Sequence, residues 1–363
     1  MIDRRTFTHF DWVIFLSAMA LAAIGIVNLY SATAGLGSQL YLKQFYWLII
    51  GCAAIGIITF FNYSQLERFA YFLYGATITF LVAVHLFGKS AGGAKRWLNL
   101  GFVSFQPSEF AKIALVVMLA KYFNEITVPR QGMSIKDIFL PGFILAVPFI
   151  LVAKQPDLGT ALILLLIFIS MTLFVKVRWK TLLGISIAFL PLIPFAWHFL
   201  KDYQKARLLS FINPNIDLLG TGYHLKQSKI AIGSGGFIGK GFLNGTQGQL
   251  KFLPERHTDF VFSVFAEEWG FSGAVIVVIL SLVIILWGLH IAQHSKDRFA
   301  SFLAFGISSL FFWHTAINLA MVMGLLPVVG VPLPFMSYGG SFLLTVMLGV
   351  GILINVSMRR FMF

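Results

Sequence analysis

The stretch WVIFLSAMALAAIGIVNLYSA, residues 12–32, carries no charged side chain over its whole length. About 20 mostly apolar residues wound as a helix span the hydrocarbon core of a bilayer. The same pattern recurs along the chain. Apolar runs cover 42–62, 69–87, 106–123, 138–153, 158–175, 181–199, 261–289, 300–325 and 336–357. The run at 138–153 is short and contains Pro148, and that at 261–289 is overlong, which predicts a tilted span or an added piece of loop helix. Composition agrees. Of 363 residues, 58% are hydrophobic and only 11% are Asp, Glu, Lys or Arg, against about 25% charged in a soluble domain. The expected fold is an all-α polytopic membrane protein of about ten transmembrane helices, residues 1–363 forming a single integral membrane domain. The 33 glycines suit close helix packing in lipid. The first span follows a short charged segment without a small-residue cleavage site, so it reads as a retained helix and not a removed signal peptide.

The net charge of +13 does not require a nucleic-acid partner, because cytoplasmic loops of membrane proteins are rich in Lys and Arg. With the N-terminus placed in the cytoplasm, the short outer loops hold only Lys43, Lys89, Lys95, Arg96 and Lys154. The inner segments hold the larger share, including Arg4, Arg5, Arg130, Lys176, Arg178, Arg359 and Arg360. Both termini are therefore expected inside. Residues 200–260 form a large external loop between the seventh and eighth spans, with the Gly-rich run GSGGFIGKGFLNGTQGQ. Its basic residues (Lys201, Lys205, Arg207, Lys226, Lys229, Lys240, Lys251 and Arg256) outnumber its acidic ones (Asp202, Asp217, Glu255 and Asp259). That excess fits headgroup contact, or an anionic substrate at the outer surface. No internal repeat supports an inverted-repeat transporter.

Charges at the mouth of a helix bundle are costly and often functional. In QPSEFAKIALVVM (106–118), Pro107 suits a first helical turn. Glu109 and Lys112, three apart, share a face, either as a structural pair or as a cavity lining. In KQPDLGTALILL (154–165), Asp157 follows Pro156 and can cap a helix or face the same cavity. In FLPERHTDFVFSVFAEEWGFSG (252–273), Asp259 stands directly before an apolar run. Partial desolvation there suits a carboxylate to proton transfer. The Pro- and Gly-broken segment GLLPVVGVPLPFMSYGGS (324–341) needs protein or water cover and is expected to frame the cavity. His257 beside Asp259 is at most a weak metal ligand. His85, His198, His290, His294 and His314 read as structural or interfacial. No metal-ligand spacing, P-loop or dinucleotide fingerprint occurs. The single cysteine, Cys52, reads as a buried small hydrophobe.

Four of these segments, GGAKRWLNLGFVSFQPSEFAK (92–112), QPDLGTA (155–161), FLPERHTDFVFSVFAEEWG (252–270) and GVPLPFMSYGGS (330–341), together resemble the SEDS proteins of shape, elongation, division and sporulation. The ERHTDF form and the short N-terminus are more similar to the rod-shape branch than to the division branch. The resemblance implies a bacterial ten-helix protein of the cytoplasmic membrane. It implies a glycosyltransferase that polymerises lipid II into peptidoglycan glycan strands during cell elongation, alongside a class B penicillin-binding protein transpeptidase and other elongation-complex proteins. On it, Asp259 corresponds to the essential acidic residue of the large external loop, and Glu109, Lys112 and Asp157 to polar cavity residues. An inverting transfer from a polyprenyl-diphosphate-linked glycan needs a base, for which Asp259 is the candidate. It also needs positive charge for the diphosphate. Lys112, Arg207, Lys226, Lys229 and Arg256 are candidates for that, or a divalent cation (Mg or Mn) held with Asp259; no organic cofactor is expected. Two other readings remain: a lipid II flippase, and a non-catalytic scaffold for cell-wall synthases.

Overall fold

The computed structural model describes residues 9–34, 39–91, 94–99, 104–127, 129, 131–189, 198, 202–213, 221–246 and 255–360. The expected Arg4, Arg5, Arg130, Lys201, Asp217, Lys251 and the end of the seventh span lie outside them.

Each of the ten expected spans meets a helix: α1 (Trp12–Thr33), α2 (Leu40–Phe60), α4 (Ala70–Phe87), α5 (Pro107–Glu125), α6 (Ile135–Lys154), α7 (Leu158–Phe174), α8 (Trp179–Phe189), α11 (Val261–Gln293), α12 (Arg298–Val322) and α13 (Gly340–Arg359). Among the described residues, seven of these are long and apolar enough to cross a membrane. Of the other three, α7 is one residue short of that length, α8 stops where the description stops, and α5 carries Glu109, Lys112, Lys121 and Glu125. The remaining helices are α3 (Tyr63–Arg68), α9 (Asp202–Ile212) and α10 (Thr221–Ser234).

The sides of the helices exposed in the isolated chain are apolar: Phe72, Phe80 and Phe87 on α4, Phe139 and Phe143 on α6, and Ile279, Leu282 and Leu286 on α11. Inside lie α5, α12 and α13. Buried side chains cover most of α5, and α13 is almost wholly enclosed. Small residues set the closest approaches. A Cβ on Gly25 of α1 would meet the Met336 backbone at 2.7 Å, and one on Gly51 of α2 would meet the Met347 side chain at the same distance. The start of α1 and the end of α13 lie at one end of the bundle, where Asp11 accepts hydrogen bonds from Trp287 Nε1 and Ser357 Oγ, each 2.8 Å long. That requires an even number of crossings.

Two features refine the expected picture. Three short antiparallel strands, β1 (Lys89–Ala91), β2 (Ala94–Asn99) and β3 (Ser104–Phe105), form a small sheet between α4 and α5, a departure from a purely helical chain. The overlong eighth span is two helices meeting at Gly270 (φ 65°, ψ −162°). A side chain at that φ is strained, and a Cβ there would lie 2.4 Å from the Gly239 nitrogen. The glycine-rich run of the large loop repairs the break. Lys240 N and Gly241 N donate to the carbonyls of Glu267 and Glu268, while Phe271 N and Ser272 N donate to those of Gly236 and Phe237. The buried Glu267 carboxylate pairs with Lys240 Nζ at 2.7 Å and accepts from Thr246. Glu268 accepts from Ser31. Much of the 200–260 loop is thus helical or docked, and Glu267 and Glu268 serve to hold it.

Candidate active site at the loop end of the bundle

The end opposite the termini collects the polar residues. Pro107 opens α5, and its first turn turns Glu109 and Lys112 inward, where both are buried. Lys112 Nζ lies 2.7 Å from Glu109 Oε2 and 3.0 Å from His314 Nε2 on α12. His314 Nδ1 lies 3.1 Å from the Pro332 carbonyl. An ammonium only donates and a carbonyl only accepts. The imidazole therefore carries its hydrogen on Nδ1 and its lone pair on Nε2. A chain of contacts runs from Glu109 through Lys112 and His314 to the Pro-rich segment. His314 is thus part of the site's frame, beyond the structural or interfacial place expected for it.

Asp157 caps α7, accepting from Thr160 N and Thr160 Oγ1. It also receives Gln106 Nε2 at 3.3 Å, and Arg96 Nη1 comes within 3.9 Å. Arg96, on β2, also donates to the carbonyls of Gln155 and Pro156. In the sequence it is one more outer-loop charge; the small sheet brings it to Asp157. Of the two readings open for Asp157, the cap is present, and the same carboxylate also meets Gln106 and Arg96.

Asp259 sits on the turn entering α11 and is partly exposed. A Cβ placed on Gly330 would lie 3.4 Å from Asp259 Oδ2 and 3.8 Å from an Arg207 Nη1, so both side chains reach the same point over the Pro-rich segment. Burial, first, and then the neighbouring Glu255 push the Asp259 carboxyl up to about 6, against the opposing pull of Arg207 and Arg96. Asp157 acts electrostatically on both Glu109 and Asp259, which ties the three acids into one region. Beside it, Arg96, Gln204 and Arg207 line a small pocket with Pro156 and Pro327. Burial lowers the His257 pKa below its ordinary value.

The other expected basic residues divide. Arg256 is buried, and Lys226 and Lys229 are exposed on α10, with the Lys229 stem against Gly324. Among the described residues, Glu255, Arg207, Arg96 and Asp157 are the charges that bear on Asp259 most. The segment framing the site holds three residues at positive φ, Gly324 (74°), Gly330 (75°) and the buried Phe335 (65°). A phenylalanine there is strained, and such backbone persists where its surroundings over-determine it.

The FtsW/RodA/SpoVE family model, described as cell cycle protein, matches residues 11–361. The chain belongs to that family. It is 40% identical to the peptidoglycan glycosyltransferase MrdB of Escherichia coli K12, over 99% of this chain and 97% of the relative. A solved chain from work on polymerization and crosslinking by a peptidoglycan synthase complex superposes with a TM-score of 0.85 at 32% identity, covering 98% of this chain and 99% of that one. The rod shape determining protein RodA of Thermus thermophilus superposes with a TM-score of 0.73 at 28% identity, covering 98% of each chain. These similarities run through every span and through the loop that carries Asp259.

Proposed function

We propose that this chain extends peptidoglycan glycan strands from lipid II during cell elongation, with Asp259 as the base that activates the acceptor. It is a peptidoglycan glycosyltransferase, the name carried by relatives 38–40% identical over its full length. The carrying observation for the mechanism is the Asp259 carboxyl, tuned to about 6 and set over Gly330 beside Arg207. A base is most effective when its pKa lies near the working pH.

In the proposed step, the 4-hydroxyl oxygen of the lipid II N-acetylglucosamine attacks the anomeric carbon of the growing glycan. The new C–O bond forms as the bond to the polyprenyl diphosphate breaks, with inversion. The hydroxyl proton passes to Asp259, and the diphosphate leaves as a stable anion. Arg207 and Arg96 supply the positive charge nearest the carboxylate. The Lys112 ammonium is engaged by Glu109 and His314, so its part is to keep the cavity floor ordered. The expected divalent cation would arrive on the diphosphate oxygens. Held with Asp259, it would add to the positive charge that the leaving diphosphate needs.

The multi-pass chain would have both termini in the cytoplasm and the Asp259 end at the outer face, as the charge bias supports. A class B penicillin-binding protein would supply the crosslinking. The test is polymerisation of labelled lipid II by the purified protein with that partner. Asp259→Ala should lower the polymerisation rate by about 10²–10⁴-fold, leaving a weak residual ladder; chains of wild-type length and amount from the variant would remove Asp259 from the chemistry.

A further inference from the structure

We infer that Asn318 and Ser337 are positioning residues for Asp259, hanging the backbone of 257–259 on α12 and on the Pro-rich segment. Three consecutive carbonyls carry the argument. His257 O accepts from Tyr338 N at 2.9 Å, Thr258 O from Ser337 Oγ at 2.7 Å, and Asp259 O from Asn318 Nδ2 at 2.9 Å. Their donors come from elements 59 to 81 residues further along the chain, and they add to the local turn in which Thr258 N and Phe260 N donate to the Glu255 carbonyl.

Asn318 is fully buried, and its amide nitrogen serves two acceptors at once, the Asp259 carbonyl and, at 2.7 Å, the Val331 carbonyl. Two carbonyl acceptors fix which way round the amide stands. Its Oδ1 meets no hydrogen-bond donor among the described residues. A buried amide left half-satisfied is costly, and here its two donors alone account for its presence. One acceptor belongs to Asp259 itself and the other to Val331, which follows Gly330, the residue over which the Asp259 and Arg207 side chains meet. One amide therefore sets the carboxylate's backbone and the surface beneath the carboxylate together. One turn earlier on α12, His314 holds the adjacent Pro332 carbonyl and, through Lys112, the cavity pair. Ser337 is equally buried, donating to Thr258 O while accepting from Leu333 N at 2.8 Å, which closes the segment on itself.

None of these groups touches the reacting atoms in the proposed step. Their loss displaces the base and leaves the substrate cavity standing, so it should appear in kcat and not in KM. This inference rests on Asp259 as the base. The experiment measures initial rates of labelled lipid II polymerisation by the full-length protein with its transpeptidase partner, across lipid II concentrations. Asn318→Ala and Ser337→Ala are compared in wild-type and Asp259→Ala backgrounds, with thermal midpoints of each purified protein. The expected result is a kcat lowered at least tenfold at constant KM in either variant, with no further loss of the residual rate in the Asp259→Ala background. Should Asn318→Ala fail to fold, Ser337→Ala, which removes one oxygen, carries the same expectation. Wild-type kcat in Ser337→Ala, or a raised KM with kcat intact, overturns the inference. An Asp259→Ala protein as active as wild type would instead overturn the base assignment, whatever the Asn318 and Ser337 variants do.

Discussion

The acid limb of the pH–rate profile is where the Asp259 assignment is most exposed. Its carboxyl stands at about 6 instead of 3.8, with burial the largest cause. A general base works only when deprotonated, so activity should be lost as pH falls through about 6. Between pH 7 and pH 5 the ionised fraction of such a group falls from about nine-tenths to about one-tenth, whereas an ordinary carboxylate would stay about nine-tenths ionised at pH 5. The kcat/KM at pH 5 should thus be roughly a tenth of that at pH 7, measured with labelled lipid II well below saturation at fixed ionic strength. Arg207 pulls this pKa down. Its replacement by Gln should move the limb to higher pH, beside any loss of diphosphate binding.

Stability gives an independent check on the same group. The folded carboxyl is raised above its unfolded value, so the folded state prefers the proton. The resulting penalty is absent below the unfolded pKa and fully present above about pH 6. It amounts to on the order of 3 kcal/mol. Asp259→Asn should lower kcat by about 10²–10⁴-fold while leaving the thermal midpoint at pH 7.5 unchanged or raised. A pH 5 rate above half the pH 7 rate, a limb moving down in Arg207→Gln, or an Asp259→Asn enzyme retaining a tenth of its kcat would each refute the reasoning.

Three further outcomes follow from the geometry. Lys112→Met strands the Glu109 carboxylate in the bundle and should cost about 3–5 kcal/mol, visible as a lower midpoint in detergent; adding Glu109→Gln should recover much of it, and no recovery would mean the pair is not coupled. Gly270→Ala forces a side chain into a positive φ and against the Gly239 backbone, so it should cost more than the about 1–3 kcal/mol of a strained residue alone, and limited proteolysis should then cut the 235–246 loop faster. Arg96→Ala should weaken catalysis and lose most of its salt sensitivity, since Arg96 faces Asp157 and the pocket beside Arg207; rates that match wild type at all salt concentrations would place Arg96 outside the site.

What could be read from the sequence divides along a physical line. The spans announce themselves because twenty apolar residues in a row have few soluble alternatives, and Glu109, Lys112, Asp157 and Asp259 stand out because charge in such surroundings is rare. His314 and Arg96 did not stand out. A lone histidine in an apolar helix has no local pattern, and its partners, Lys112 and Pro332, lie 202 and 18 residues away. Arg96 is one more loop cation until a three-stranded sheet turns it toward Asp157. Lys226, Lys229 and Arg207 are indistinguishable as charges in a basic loop, and the fold brings Arg207 to Asp259.

Asn318 and Ser337 were harder still. Their acceptors are backbone carbonyls, which every residue possesses, so the sequence encodes the donors and leaves the pairing unstated. The break at Gly270 shows the same asymmetry. The overlong span revealed that something interrupts it, but only the docked loop shows that the freed backbone groups are met by Gly236, Phe237, Lys240 and Gly241. In this protein the chemistry-bearing side chains are conspicuous because lipid makes them costly. The backbone that aims Asp259 is held by neutral donors that lipid tolerates, and these leave no comparable mark in composition.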